Sequence, residues 1–231
     1  WRRDWLKYLD RASLGRAVIV NPRGTGGSSL WDANDSPIRQ LVDDLDDVRK
    51  GLQINKWIVV GQSLGGVVAM EYALRFPDSV LGLVLSCTTA RGIADDPQSI
   101  YHPEHPDHAL VREARAGGHL SALRALVAHR PELIDEPGGG MSGSRQEAVT
   151  REIPELALPR RVHDIAAPTV ILAGRQDRAI PMHHSEELAA LIPSARLHVF
   201  EESGHFPYHE EPELYRSRLA AFVANLPGNR T

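Results

Sequence analysis

Four short apolar runs, each followed by a turn rich in glycine, serine or aspartate, constrain the fold of this 231-residue chain more than any other feature. Each run is continuous rather than alternating, as in strands that helices cover on both faces of a sheet. Helical patterns separate the runs, and this alternation predicts an α/β fold with a doubly wound, mostly parallel sheet. A fifth run, at residues 197–200, alternates more and is expected near an edge. The four continuous runs lie at residues 17–20, 57–60, 83–85 and 170–173.

A helix is predicted between the first two strands. Ser36 followed by Pro37 indicates an N-cap with proline at the first helical position. Leu41, Leu45 and Val48 then fall on one face, which we expect to cover the sheet. The opposite face carries a group of acidic residues, which we expect to face water: Asp43, Asp44, Asp46 and Asp47.

The pattern changes between Thr89 and Asp164, where strand-like runs are absent and proline and glycine are frequent. This stretch is predicted to be an inserted helical cap. The chain is therefore divided into a first part of the core at 1–89, a helical cap at 90–164 and a second part of the core at 165–231.

Composition excludes several classes of protein. Hydrophobic residues make up 42% and charged residues 24%, as in average globular proteins. No apolar run approaches the roughly 20 residues of a membrane span. The net charge of -4 comes without the basic stripe of nucleic-acid binders. Cys87 is the single cysteine and is expected to be a packed apolar residue, and a cytoplasmic location is the default.

A G-x-S-x-G motif follows the second run and precedes a helical pattern. It reads Gly-Gln-Ser-Leu-Gly-Gly at residues 61–66. A serine held in a sharp turn between strand and helix presents its hydroxyl at the end of the sheet, and the flanking glycines make the room for that turn. Ser63 is the predicted nucleophile, and the backbone N–H of Leu64 is the predicted oxyanion donor.

A serine nucleophile needs a base, and a histidine base is oriented by an acid. Among eleven histidines, only His205 lies in a turn directly after a late strand. Asp177 likewise follows the strand at 170–173, whereas the turn after the strand at 83–85 offers no carboxylate. His205 is the predicted general base and Asp177 the predicted acid.

With these three residues in order, the sequence resembles the α/β-hydrolase family over essentially its whole length. Residues 21–28 are similar to the family's strand-end turn of the type x-x-R-G-x-G-x-S, and residues 203–207 to its histidine loop. The resemblance implies hydrolysis of a small-molecule substrate without metal or organic cofactor. Gln62, Trp31 and Phe206 are expected to contact that substrate.

The resemblance leaves the substrate open. Esterases, lactonases, carbon-carbon bond hydrolases and proline iminopeptidases share these motifs, and some relatives bind ligands as sensors without turnover. The turn at residues 22–26 favours the iminopeptidases, but Gln62 and Leu64 stand where those enzymes usually carry glycine and tryptophan. We therefore expect a small carboxylic ester or lactone as substrate.

The sequence departs from the family pattern at its N-terminal end. Members begin with further strands and a His-Gly loop that supplies a second oxyanion donor, upstream of the helix that here starts near Trp1. The N-terminal strands are therefore expected to be missing from this chain. An N-terminal fragment or a second copy in a homo-oligomer is the expected partner that would cover the strand at residues 17–20.

Two groups of histidines lie outside this constellation. His102, His105 and His108 recur every three residues in the predicted cap and are expected in a solvated loop. His183 and His184 follow Pro181 near a helix start and are expected at the surface.

Overall fold

Within the described residues, four parallel strands form one sheet in the order β1-β2-β3-β4. The computed structural model describes residues 15–25, 27–30, 36–117, 120–134 and 143–227. In register, Val60 pairs with Val84 and Leu85 pairs with Ile171, so the strand ends lie at one edge of the sheet. The strands are β1 (Trp57–Gln62), β2 (Val80–Ser86), β3 (Thr169–Gly174) and β4 (Ala195–Phe200).

Helices connect and cover these strands. The first begins as predicted, with Pro37 at its first position and Ser36 Oγ accepting the N–H of Arg39 at 3.0 Å. The helices are α1 (Pro37–Gly51), α2 (Leu64–Arg75), α3 (His108–Ala116), α4 (Leu120–Val127), α5 (Gly143–Glu152), α6 (Met182–Leu191), α7 (Pro207–Glu210) and α8 (Pro212–Ala224). None of the helices in the described part of the chain combines the length and apolar character that a bilayer span requires.

The sheet buries apolar side chains on both faces, as its continuous apolar runs predict. Leu83 and Leu85 of β2 pack with α1 and α2, whereas Val84 between them packs on the opposite face. That opposite face contains Tyr215 and Leu219 of α8. The alternation of strand side chains across a sheet explains this division into two clusters.

The described residues between β2 and β3 form turns and short helices and contain no strand, and the first of these helices, α3, begins only at His108. Val149 and Leu158 belong to the apolar cluster of α1 and α2, and Val111 and Val127 to the cluster on the other face. This segment therefore extends both core clusters. Its treatment as a separate cap, with the boundaries 90–164, stays a prediction.

The prediction of a strand at residues 17–20 is wrong. This stretch forms no strand and pairs with none among the described residues, and a β-strand is defined by its ladder of hydrogen bonds to a neighbour. The sheet of the described residues therefore begins at β1, where Val60 is 41% exposed. The run at 197–200 forms part of β4 and lies at the other edge, as expected.

The prediction that the acidic face of α1 points to water is wrong for Asp46. Its carboxylate is buried and binds Arg49 Nε at 2.9 Å, Lys50 Nζ at 2.7 Å and the Tyr72 hydroxyl at 3.1 Å. Asp44 accepts two hydrogen bonds of 2.7 Å from the Arg23 guanidinium. These pairs fasten α1 to α2 and to the turn that carries Arg23.

Candidate active site

Ser63 is the single residue between the end of β1 and the start of α2. Its backbone has φ 53° and ψ -125°, a conformation that costs free energy in a residue with a side chain. Two hydrogen bonds hold it there. The Ser63 N–H donates to Ser86 O at 2.9 Å, and Thr88 Oγ1 donates to Ser63 O at 2.7 Å. The strained turn is thus clamped to the end of β2.

Two of the three neighbouring glycines are required by close packing. A Cβ on Gly61 would lie 2.2 Å from Gly65 O, and a Cβ on Gly66 would lie 2.3 Å from Thr88 Oγ1. A Cβ on Gly65 would meet no atom within 4 Å. The expectation that the turn needs a glycine on both sides of Ser63 is therefore correct for Gly61 and wrong for Gly65.

Asp177 and His205 lie in the loops that follow β3 and β4, and they form a buried pair. Asp177 Oδ2 lies 2.8 Å from His205 Nδ1. Asp177 Oδ1 accepts the N–H groups of Ala179 at 2.8 Å and Ile180 at 2.9 Å. The turn after Asp177 therefore orients the carboxylate, and the carboxylate orients the ring.

Glu210 holds the histidine loop, and sequence reasoning did not identify it. Its Oε2 accepts the N–H groups of Gly204 at 2.9 Å and Phe206 at 3.2 Å, on either side of His205. Its Oε1 accepts the N–H groups of His129 at 2.6 Å and Arg130 at 2.7 Å, just beyond α4. One buried carboxylate thus joins the histidine loop to the end of α4. Its position next to Glu211, just before α8, gave no sign of burial.

The remaining predicted site residues have different surroundings. Gln62 is buried, and its Nε2 donates to His205 O at 2.9 Å. The Phe206 ring contacts the His205 ring edge to face, with centroids 5.2 Å apart. Leu64 is the first residue of α2, where backbone N–H groups have no acceptor within the helix. Trp31 lies outside the described residues. Substrate contact by Gln62, Trp31 and Phe206 stays a prediction, as does the oxyanion role of Leu64.

Gln62 also links the serine turn to the histidine loop, because its side chain reaches His205 while its backbone precedes Ser63. Within the described part of the chain, the Ser63 hydroxyl and the His205 ring form no hydrogen bond. Hydrogen bonds of this kind are often long without substrate and tighten when it binds. The predicted contact between these two side chains therefore stays a prediction.

Cys87 lies beside this site, which the sequence did not indicate. Its thiol, a carboxylate oxygen of Asp177 and a ring nitrogen of His205 all lie within 4.8 Å of one another. Burial, followed by the nearby charge of Asp177, raises the pKa of the Cys87 thiol well above its ordinary value. The thiol is protonated at neutral pH and is a poor nucleophile, in agreement with the expected apolar role.

The other histidines have mixed outcomes. The rings of His102 and His105 accept backbone N–H groups of Glu104 and Asp107 in their own turns, at 3.2 and 3.1 Å. His184 is buried, and the expectation of a surface position is wrong for it. His183 is 45% exposed, as expected.

Comparison with known proteins gives one family. The family model described as alpha/beta hydrolase fold matches residues 1–212. Among curated proteins, 2-hydroxy-6-oxo-2,4-heptadienoate hydrolase of Pseudomonas putida is 29% identical over 233 residues, covering 96% of this chain and 83% of that protein. Proline iminopeptidase of Neisseria gonorrhoeae is 28% identical over 262 residues, covering 92% of this chain and 80% of that protein.

Solved structures agree with this result. An alpha/beta fold family hydrolase from Bacillus anthracis superposes with a TM-score of 0.78 at 25% identity, covering 88% of this chain and 81% of that chain. The parallel sheet and its covering helices are therefore shared with a solved hydrolase.

Proposed function

Because this chain belongs to the alpha/beta hydrolase family, we propose that it is a serine hydrolase that cleaves a small carboxylic ester or lactone through an acyl-enzyme intermediate. The observation that carries the proposal is the buried pair of Asp177 and His205, 2.8 Å apart, next to a strained turn that carries Ser63. A cytoplasmic location stays part of the proposal.

In the proposed mechanism, His205 Nε2 takes the proton of the Ser63 hydroxyl as its oxygen attacks the substrate carbonyl carbon. Asp177 keeps the other ring nitrogen protonated and stabilises the imidazolium that forms. The Leu64 N–H donates to the oxyanion. His205 then protonates the leaving group, and in the second half it activates the water that releases the acid.

Hydrolysis of a carbon-carbon bond is the second candidate. It is favoured by similarity to the Pseudomonas putida enzyme, which spans 96% of this chain. The same serine, base and acid would serve both reactions, so the machinery does not separate them. Aminopeptidase activity, suggested by the second relative, and ligand sensing without turnover are the remaining alternatives.

A substrate panel tests the proposal. We would assay p-nitrophenyl acetate and butyrate, a γ-lactone, proline p-nitroanilide and 2-hydroxy-6-oxo-2,4-heptadienoate with the wild-type protein and with Ser63→Ala. The expected result is turnover of an ester or lactone that Ser63→Ala abolishes while the fold survives. Ser217→Ala, an exposed change on α8, is the matched control and should retain wild-type rates.

Other results of the substrate panel would replace or contradict the proposed activity. Turnover of the dienoate alone would replace the ester proposal with carbon-carbon hydrolysis, and turnover of the proline anilide alone would replace it with aminopeptidase activity. Undiminished ester turnover in Ser63→Ala would eliminate the serine mechanism. A folded protein that turns over none of the substrates would contradict the proposed ester or lactone activity.

A further inference from the structure

A second cluster of ionisable side chains lies outside the candidate active site. Asp96 belongs to the segment that follows β2, and His183 and His184 lie in the first turn of α6. Asp96 Oδ2 is 3.1 Å from His183 Nε2 and 2.8 Å from His184 Nε2. All three ligand atoms lie within 4.8 Å of one another. Three groups able to bind a metal ion therefore converge from two separate parts of the chain.

The distances suit a small transition-metal ion. Bonds from zinc to imidazole nitrogen or carboxylate oxygen are about 2.0 to 2.2 Å long, which places neighbouring ligand atoms of a tetrahedral site about 3.3 Å apart. The observed separations from Asp96 Oδ2 are slightly shorter. A small rotation of the Asp96 carboxylate would lengthen both separations, and the His183 ring can follow it because 45% of its side-chain surface is accessible.

Groups behind the cluster orient two of the three ligands. His184 Nδ1 lies 2.9 Å from Thr89 Oγ1, so an Nδ1–H donating to Thr89 would leave Nε2 free for a metal. Metal-binding histidines usually donate the N–H of their second ring nitrogen to an oxygen acceptor. Asp96 Oδ1 accepts the N–H of Gln98 at 2.9 Å, which leaves Oδ2 facing the two rings.

The charges of the cluster also suit a cation. Asp96 supplies the one carboxylate of the cluster, and 12% of its side-chain surface is exposed. The nearby Arg91 guanidinium is neutralised by Glu187, at 2.8 and 2.9 Å.

We propose that Asp96, His183 and His184 bind one Zn²⁺ ion, with water in the fourth position. Two imidazoles and one carboxylate favour zinc and its neighbours cobalt and nickel over Mg²⁺ and Ca²⁺, which take oxygen ligands. The ion would fasten the segment after β2 to α6. It would lie near the serine turn without being part of it, because Thr88, next to Thr89, donates to Ser63 O at 2.7 Å.

Zinc titration of the untagged, chelator-stripped protein tests this proposal, because a histidine tag would itself bind zinc. Competition with a chromogenic chelator at pH 7.5 gives stoichiometry and affinity. His183→Ala and Asp96→Asn should each lose one equivalent of zinc. Thr89→Val, which removes the partner of His184, should weaken binding about 10- to 100-fold. His163→Ala is the matched control, since His163 is exposed beside Asp164 and no third ligand lies near them in the described part of the chain.

Melting temperatures, cobalt absorption and a variant of the candidate active site check where the zinc ion binds. Zinc should raise the melting temperature of the wild type and of His163→Ala, but not that of His183→Ala, because a ligand of the folded state stabilises it. Cobalt should give the intense visible absorption of a tetrahedral site, which His183→Ala should lose. His205→Ala should keep the zinc equivalent, which separates this site from the group of Cys87, Asp177 and His205.

The proposal would be overturned by a wild-type protein that binds no zinc, since the cluster would then be only a hydrogen-bonded clamp. It would equally be overturned if His183→Ala and Asp96→Asn bound zinc like the wild type, because the ion would then lie elsewhere.

Discussion

The Asp177 carboxylate divides its two oxygens between the His205 ring and its own turn. Oδ2 lies 2.8 Å from His205 Nδ1, and Oδ1 accepts two backbone N–H groups. The carboxylate is therefore fixed in rotation as well as in position, and the ring beside it has one favoured tautomer.

Replacement of Asp177 by asparagine should remove nearly all turnover while the protein stays folded. The amide oxygen can keep the two backbone hydrogen bonds, but its NH₂ group then faces His205 Nδ1 and favours the tautomer that cannot accept the serine proton. A loss of about 10⁴ in kcat is expected, as for the comparable change in a serine protease. Asp164→Asn, at a largely exposed position, is the control for steady-state kinetics. Near-normal kcat in Asp177→Asn would contradict the assigned acid.

Glu210→Gln should lower both stability and kcat, because an amide cannot accept hydrogen bonds at both ends. In either orientation its NH₂ group faces two backbone N–H donors, from the histidine loop or from the end of α4. The loss of charged hydrogen bonds at a buried site should cost about 1.5 to 3 kcal/mol of unfolding free energy. Glu213→Gln, an exposed change nearby, should cost little.

The kinetic constants of Glu210→Gln distinguish a displaced His205 ring from a general loss of folding. At a temperature where Glu210→Gln is fully folded, kcat should fall while KM changes little, because Glu210 holds the backbone on either side of His205 and is not among the predicted substrate contacts. An unchanged kcat in the folded variant would show that Glu210 has only a structural role.

The two glycines of the serine turn should respond in opposite ways to alanine. Gly61→Ala places a methyl group against Gly65 O and should cost at least about 1 to 3 kcal/mol, the usual range for overpacking. Gly65→Ala has open space around its new methyl group and lies in a helix, where alanine gains about 0.5 to 1 kcal/mol over glycine. Thermal melts of both variants check this order, and equal destabilisation would contradict the described packing of the turn.

Asp46 should make stability depend on acid pH. Burial alone would raise its pKa, but hydrogen bonds from Lys50, Arg49 and Tyr72 lower it on balance. The folded protein therefore binds this proton less readily than the unfolded chain, so the stabilisation is complete at neutral pH and is lost progressively below about pH 5. The gap in melting temperature between wild type and Asp46→Asn should shrink over that range, with Asp47→Asn as an exposed control. A gap in melting temperature that widens towards low pH would contradict the lowered pKa of Asp46.

Local sequence patterns were sufficient for part of the fold and part of the site. Three of the continuous apolar runs predicted β1 to β3, and the more alternating run at 197–200 predicted β4. The Ser36-Pro37 pair predicted the start of α1. Serine, acid and histidine follow β1, β3 and β4, and the ends of parallel strands share one edge of a sheet. The sequence order therefore predicted that Asp177 lies next to His205, as the structure shows.

The sequence-based predictions that failed concern contacts between distant parts of the chain. Asp46 looks solvated in its helix, and only the position of Tyr72 on α2 makes it a buried acceptor. In the sequence, Glu210 is a glutamate near a helix start with no distinguishing feature. Its role depends on the end of α4, which lies against it only in the folded chain. The apolar run at 17–20 has the composition of a strand, but strand formation depends on a neighbour.

Labelling by a fluorophosphonate, followed by peptide mapping, tests the central claim most directly. The account predicts one phosphonyl group per chain on Ser63, fast labelling in the wild type and none in Ser63→Ala. It also predicts much slower labelling in Asp177→Asn, because the reagent reacts with a serine whose proton a neighbouring base removes. Labelling of another residue, or equal labelling of wild type and Ser63→Ala, would contradict the assignment of Ser63 as the nucleophile.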